Sequence, residues 1–198
     1  MSAFETIVIG VGTDLRGDDG FGGAVIEALR KRPSVSDNAL LARCDGEPAR
    51  MIDLWEGFRY ALVIDAVRGG SERFGFVYRH DFAAAATSGS AQRQGETVPG
   101  GEPAGNGHAI GVGAAVRLGR VLDRLPGRLI LYAVHGRDFR LGAPLSAPVA
   151  QAVPALAGRI SREILGVLSI GAGRDQGPGA SRSSGPVRVL PPRATLRA

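Results

Sequence analysis

Short apolar segments typical of buried strands alternate along this chain with longer segments whose apolar residues recur at helical spacing. The alternation predicts an α/β fold with one mostly parallel, twisted five-stranded sheet and helices on both faces. Strands are predicted near residues 5–11, 39–44, 59–65, 74–79 and 128–134. Helices are predicted near residues 20–31, 48–55, 108–122 and 146–168.

The last predicted helix has the clearest local signals. Ser146 suits the N-cap position, and Pro148 follows in the first turn, where proline is tolerated. Apolar residues then recur at spacings of three and four: Val149, Val153, Leu156, Ile160 and Ile164. This stripe predicts a face packed against the core.

The charge of the chain is concentrated in its last segment. The formal net charge of the 198 residues is +5, and residues 171–198 contribute +4 of it, from five arginines against one aspartate. That segment is rich in Gly, Ser and Pro and has no apolar period, so it is predicted to be a disordered tail after a single domain at residues 1–170. The nearly neutral domain gives no reason to expect nucleic acid as a partner.

Other features of the composition indicate a cytoplasmic protein. No apolar run approaches the length of a membrane span, and the first residues lead directly into a strand without the pattern of a secretory signal. Cys44 is the only cysteine, so an internal disulfide is impossible. Without a histidine partner assigned from sequence, Cys44 is interpreted as a structural thiol.

A glycine-rich loop with three aspartates, residues 10–22, follows the first strand. A dinucleotide fingerprint would require a third glycine where Leu15 stands, and no Lys-Ser or Lys-Thr of a P-loop follows. The carboxylates of Asp14, Asp18 and Asp19 would also repel a phosphate. Such a loop suits presentation of carboxylates to a cation, although Asp18 or Asp19 could instead cap the next helix.

A second carboxylate follows four apolar residues of a buried strand. Asp65 is predicted at the carboxyl end of that strand, the edge at which open α/β sheets bind ligands. A carboxylate there is costly unless it is paired, hydrogen-bonded or bound to metal. A role in capping the next turn is an equally good interpretation of this residue alone.

Histidine could complete a site at the same edge. His108 opens a predicted helix, after a long irregular segment at residues 80–107 of the kind that is often functional or disordered. Its main rival is His135, which also follows a strand. The fold prediction brings Asp19, Asp65 and His108 to one edge, where two oxygens and one nitrogen would suit a divalent first-row metal better than a thiolate-type structural zinc site.

These features resemble, in order, the hydrogenase maturation proteases, from about Ile7 to Leu168. The motifs are the glycine loop ending in Asp18-Asp19, the strand at residues 62–67, the helix start at residues 108–111, and Leu141 to Ser146 before the last helix. Thr13 stands where the family usually has Asn, Asp19 where it often has Glu, and Gly107 where a small hydroxyl residue is common.

The resemblance implies an activity and a ligand set. The family removes a C-terminal extension from the large subunit of a nickel-iron hydrogenase after nickel insertion, and its nickel-contacting residues match Asp19, Asp65 and His108. The chain is accordingly expected to be an aspartic-type, nickel-recognising endopeptidase whose nickel is carried by the precursor, with no membrane partner. A non-catalytic nickel-sensing chaperone of the precursor and a metal-dependent hydrolase of a small substrate remain alternatives.

Overall fold

The computed structural model describes residues 4–68, 73–83 and 107–171 of the chain, without the side chains of residues 83, 107–110 and 167–171. Its five strands are β1 (Thr6–Val11), β2 (Leu40–Cys44), β3 (Tyr60–Arg68), β4 (Val77–Ala83) and β5 (Arg128–Gly136). Its helices are α1 (Phe21–Arg30), α2 (Pro33–Ser36), α3 (Pro48–Trp55), α4 (Gly107–Val121) and α5 (Ala147–Gly171). A 3-10 turn, Gly17–Gly20, directly precedes α1.

The strands form one sheet in the order β2-β1-β3-β5-β4, which confirms the predicted fold class. β1 pairs in parallel with β2 and β3, and β3 pairs in parallel with β5. β4 alone runs antiparallel, as an edge strand against β5. From β1 the chain turns first to one side, to β2, and then to the other, to β3, so the strand order reverses between β1 and β3.

Each face of the sheet is covered by a separate apolar cluster. On one face Val8 and Ile64 pack with residues of α1 and α5, while on the other Ile9 and Val63 pack with residues of α3 and α4. β1 is fully buried along its length, as expected for a parallel strand with helices on both sides.

Local sequence explains where the helices begin and how closely they approach the sheet. The Glu47 side chain caps α3 by accepting hydrogen bonds from the Ala49 and Arg50 N–H groups. Gly22 lets α1 lie directly on the strands, because a Cβ atom there would come within 2.5 Å of the Val11 carbonyl oxygen. The stripe predicted for α5 is confirmed, with Val149, Leu156, Ile160 and Ile164 all buried and Val153 packed against them.

Strands β3, β4 and β5 end later than the sequence-based prediction, and β4 begins at Val77 where the prediction began at 74. β3 continues past Asp65 to Arg68, because β5 pairs with it residue by residue as far as Gly136. β4 ends at residue 83 where the prediction ended at 79, because it pairs antiparallel with β5 as far as Ala83 and Arg128; a salt bridge also joins Asp81 to Arg128. Of the irregular segment predicted at residues 80–107, residues 84–106 lie outside the described part, as do tail residues 172–198.

None of the helices in residues 4–68, 73–83 and 107–171 is both long and apolar enough to cross a bilayer.

Candidate functional site

The carboxyl ends of β1 and β3 form the crevice at which strand order reverses, the usual ligand position in an open α/β sheet. The β1–β3 ladder ends at Gly10 and Ile64, so Asp65 is the first residue of β3 beyond it. The loop after β1 carries Asp18 and Asp19 in its 3-10 turn. Both aspartates and Asp65 are buried. The two neighbouring acids of the loop have different surroundings.

Asp18 is engaged by a second loop, residues 137–146. Its Oδ2 accepts hydrogen bonds from the N–H groups of Arg137 at 2.6 Å and Asp138 at 2.9 Å. The same oxygen accepts the Ser146 hydroxyl at 2.8 Å, and Oδ1 accepts the Ser146 N–H at 2.6 Å. We call this arrangement the Asp18 clamp. With four hydrogen bonds accepted, the carboxylate is committed to joining the two loops.

Asp19 is held by its own loop. Its Oδ2 accepts a hydrogen bond from the Thr13 N–H at 2.8 Å. Gly12 lies against it with φ +109°, and a Cβ atom at that position would meet the Asp19 carbonyl oxygen at 2.1 Å. Glycine is therefore required at position 12 both for its backbone conformation and for space. The loop bends tightly around Asp19 and fixes its carboxylate in the crevice.

Asp65 is a carboxyl group buried in the sheet with one hydrogen bond in the described part of the protein, from the Ala66 N–H at 2.8 Å. Burial raises the pKa of Asp65 to about 7, the Ala66 hydrogen bond opposes that rise, and the negative charge of Asp19 adds to it. The two side chains thus interact electrostatically across the crevice. Near neutral pH a large share of Asp65 is protonated, in contrast to an ordinary aspartate.

His108 lies in the first turn of α4, and its side chain is outside the described part. Near its start, α4 lies against the loop that follows β2, because a Cβ atom at Gly111 would meet the Gly46 carbonyl oxygen at 2.2 Å. Farther along α4, Gly119 lies against Trp55, the last residue of α3. The amino end of α4, with His108, is therefore at the same edge of the sheet as Asp19 and Asp65.

The other histidines have aromatic neighbours. His135, near the end of β5, packs on Tyr78 with ring centroids 4.5 Å apart, and its buried Nδ1 has no hydrogen-bond partner among the described residues. Burial, and secondarily the charge of Arg73, lower the pKa of His135. His80, which the sequence placed at the border of an irregular segment, lies within β4 beside Phe82.

Cys44 ends β2 and is buried. Burial raises the pKa of its thiol, so the reactive thiolate is disfavoured, and its Sγ lies 3.7 Å from Asp45 Oδ1. Within the part of the chain whose side chains are described, which leaves out His108, no cluster of three or more His, Cys, Asp or Glu residues is arranged to hold a metal ion.

Solved structures share this architecture. The hydrogenase maturating endopeptidase HybD from E. coli covers 84% of this chain and 93% of its own, with a TM-score of 0.54 and 17% identity. The [NiFe] hydrogenase maturation protease HybD from Thermococcus kodakarensis covers 80% and 97%, with a TM-score of 0.54 and 19% identity. A hydrogenase 2 maturation peptidase from a Thaumarchaeota archaeon covers 80% and 97%, with a TM-score of 0.53 and 19% identity.

The fold is that of the hydrogenase maturation proteases. The resemblance found in the sequence is thereby confirmed for the architecture, over nearly the whole length of those chains. No family model matches the chain, and no curated protein matches it in sequence.

Proposed function

We propose that this chain is an endopeptidase that removes the C-terminal extension of a nickel-iron hydrogenase large-subunit precursor after nickel insertion. One observation carries the proposal: two buried carboxylates, Asp19 and Asp65, interact at the crevice where strand order reverses. Burying two acids close together lowers the stability of the folded protein, and such destabilised pairs are typical of sites that bind a cation. The fold shared with the hydrogenase maturation proteases supports nickel as that cation.

In the proposed mechanism the nickel belongs to the substrate. Asp19 and Asp65 supply oxygen ligands and His108 an imidazole nitrogen, and the precursor's own ligands complete the coordination. Three such ligands alone leave the first shell of a divalent metal incomplete, so the complete site exists only in the complex. A metal held by these residues would polarise the scissile carbonyl or activate water for its hydrolysis.

The Asp18 clamp supports different roles for the adjacent acids of the loop. The Asp18 carboxylate accepts all its hydrogen bonds from the 137–146 loop, whereas the Asp19 carboxylate affects the pKa of Asp65 in the crevice. This difference supports Asp19 as the ligand in the proposed mechanism and Asp18 as a structural residue.

The test is to incubate purified protein with a nickel-loaded large-subunit precursor and follow the mass of the precursor. We expect loss of the C-terminal extension. Binding without cleavage would indicate a chaperone, and neither binding nor cleavage would favour hydrolysis of a small substrate.

A parallel measurement tests the origin of the metal. Elemental analysis of the purified enzyme should find little stoichiometric metal, and a nickel-free precursor should stay uncut, because the enzyme's ligand set is incomplete. Tight stoichiometric zinc, or equal cutting of the nickel-free precursor, would contradict the substrate-borne mechanism.

A further inference from the structure

Two exposed leucines lie on the neighbouring loops that border the crevice. Leu15, in the loop after β1, is 68% exposed, and Leu141, in the 137–146 loop, is 78% exposed. The two loops are joined there by a hydrogen bond of 2.7 Å from the Gly142 N–H to the Leu15 carbonyl oxygen. Large apolar side chains exposed on neighbouring loops are a common sign of a binding site. We call this surface the leucine rim.

Hydrogen bonds and a close backbone contact join the two loops of the rim. The Asp18 clamp joins its two loops, and a further hydrogen bond runs from the Asp18 N–H to the Asp138 carbonyl oxygen at 2.7 Å. Gly17 has φ +57° and lies so close that a Cβ atom would meet the Asp138 carbonyl oxygen at 2.4 Å. A surface fixed in this way loses little conformational entropy on binding.

The rim is continuous with the candidate site. Leu15 is two residues from Thr13, whose N–H holds the Asp19 carboxylate, and it directly precedes Arg16 before the 3-10 turn that carries Asp19. A chain segment bound across the leucines would therefore lie beside the loop that carries Asp19.

The charges around the rim indicate what kind of segment would bind. Its two acids are neutralised, Asp14 by Arg43 and Asp138 by Arg140. Three more arginines, Arg16, Arg68 and Arg137, are exposed and form no salt bridge within the described part of the chain. Arg68 lies over the ring of Phe139, which belongs to the 137–146 loop. Arg137 belongs to the same loop and lies over the ring of Phe74. The rim is apolar at its centre and positive at its border.

We propose that the leucine rim binds a segment of the precursor adjoining the cleaved bond, one that carries an apolar side chain and carboxylates. The inference rests on the proposed function and adds the chemistry by which the enzyme recognises its substrate. Apolar contact with Leu15 and Leu141 would give affinity, while the three arginines without a salt bridge in the described part would favour and orient an acidic segment.

The test compares two pairs of exposed leucines. Leu15→Ser/Leu141→Ser removes the rim, and Leu118→Ser/Leu122→Ser is the matched control, because those leucines are 39% and 48% exposed at the far end of α4. Binding of the nickel-loaded precursor is measured by titration calorimetry, with thermal melting as a check on folding. The rim variant should bind at least about tenfold more weakly, as expected for loss of two buried leucine contacts, and the loss should appear in KM. The control should bind like wild type.

The arginines are tested through the salt dependence of the same binding. Arg16→Ser/Arg137→Ser should weaken binding at low salt and flatten its dependence on ionic strength. The matched control is Arg117→Ser/Arg162→Ser, which removes exposed arginines of α4 and α5 and should keep the wild-type slope.

The outcomes separate this inference from the proposed function. Equal precursor binding by the rim variant and its control, with wild type binding well, would overturn the docking surface and leave the protease assignment standing. An identical salt slope in both arginine variants would overturn the acidic character of the segment. Absence of precursor binding by wild type would overturn the proposed function, and this inference with it.

Discussion

Buried carboxylates occur in two different environments at one edge of the sheet, the Asp18 clamp and the Asp19–Asp65 pair. In the Asp18 clamp, a fully buried carboxylate accepts four hydrogen bonds from another loop. In the Asp19–Asp65 pair, Asp65 is equally buried but accepts one hydrogen bond in the described part of the chain and interacts with a neighbouring negative charge. The carboxylates are buried to nearly the same extent in both environments, but the number of hydrogen bonds that replace those to water is different.

The difference shows how a fold separates structure from reactivity with one residue type. A buried carboxylate whose oxygens are saturated by N–H and O–H donors stabilises the loops around it. A buried carboxylate with few donors and a like charge nearby weakens the fold and retains affinity for a proton or a metal ion.

The largest effect is expected on cleavage. Asp19→Ala, Asp65→Ala and His108→Ala should each abolish precursor processing, with residual rates lower by about a hundredfold or more, because each removes one of few metal ligands. The measurement is the rate of precursor cleavage, beside circular dichroism to confirm folding. Full activity of any one variant would remove that residue from the site.

The second effect is on stability and concerns the clamp. Asp18→Ala should lower the free energy of unfolding by about 3–5 kcal/mol, because the N–H groups of Arg137, Asp138 and Ser146 lose their buried acceptor. Chemical denaturation measures the change. Asp53→Ala is a control, since that carboxylate lies on the surface in a salt bridge to Arg124 and its loss should cost about 1 kcal/mol at most. A cost as small for Asp18 would disprove the clamp.

The sequence was sufficient to predict the architecture and the edge of the sheet at which Asp19 and Asp65 lie. The apolar periods of β1, β3 and α5 match their burial, because parallel strands and core-facing helices leave a regular pattern. Asp65 was recognised because four apolar residues precede it. Its position within β3 was less predictable, since the additional ladder to Gly136 depends on β5, more than 60 residues farther along the chain.

The roles of the two adjacent acids could not be separated from sequence. Asp18 and Asp19 are identical side chains in one glycine loop, and both fit helix capping or metal binding. The groups that distinguish them, in the 137–146 loop, are 119 to 128 residues away from Asp18. Only the folded chain brings those donors to one acid and not to the other, so local pattern carries no trace of the difference.

The third prediction is a pH dependence of stability. Because the pKa of Asp65 is raised to about 7, its folded form binds a proton more tightly than the unfolded chain does. Its stabilising effect is complete below about pH 4 and is lost as pH rises toward 7. Asp65→Asn should remove this loss and raise the free energy of unfolding above pH 7 by up to about 4 kcal/mol, from a shift of roughly three pKa units.

Denaturation of both proteins from pH 4 to pH 8, with no metal added, checks that sign. The two stabilities should converge at low pH and separate as pH rises. An Asn variant less stable than wild type at pH 8 would mean that Asp65 is stabilised as a carboxylate, like Asp18, and would end the contrast between the two environments.

The smallest effect is expected when one of the four donors of the Asp18 clamp is removed. Ser146→Ala removes the hydroxyl that donates to Asp18 Oδ2 at 2.8 Å but keeps the Ser146 N–H bond to Oδ1, so the carboxylate retains three of its four donors. We expect a loss of about 1–2 kcal/mol in the free energy of unfolding, well below that of Asp18→Ala. Ser36→Ala is the control, because that exposed hydroxyl contacts only its own turn and its neighbour Asp37 and should change stability by about 0.5 kcal/mol or less. If Ser146→Ala cost as much as Asp18→Ala, the clamp would depend on the hydroxyl alone, and the backbone donors of the 137–146 loop would contribute nothing to burying Asp18.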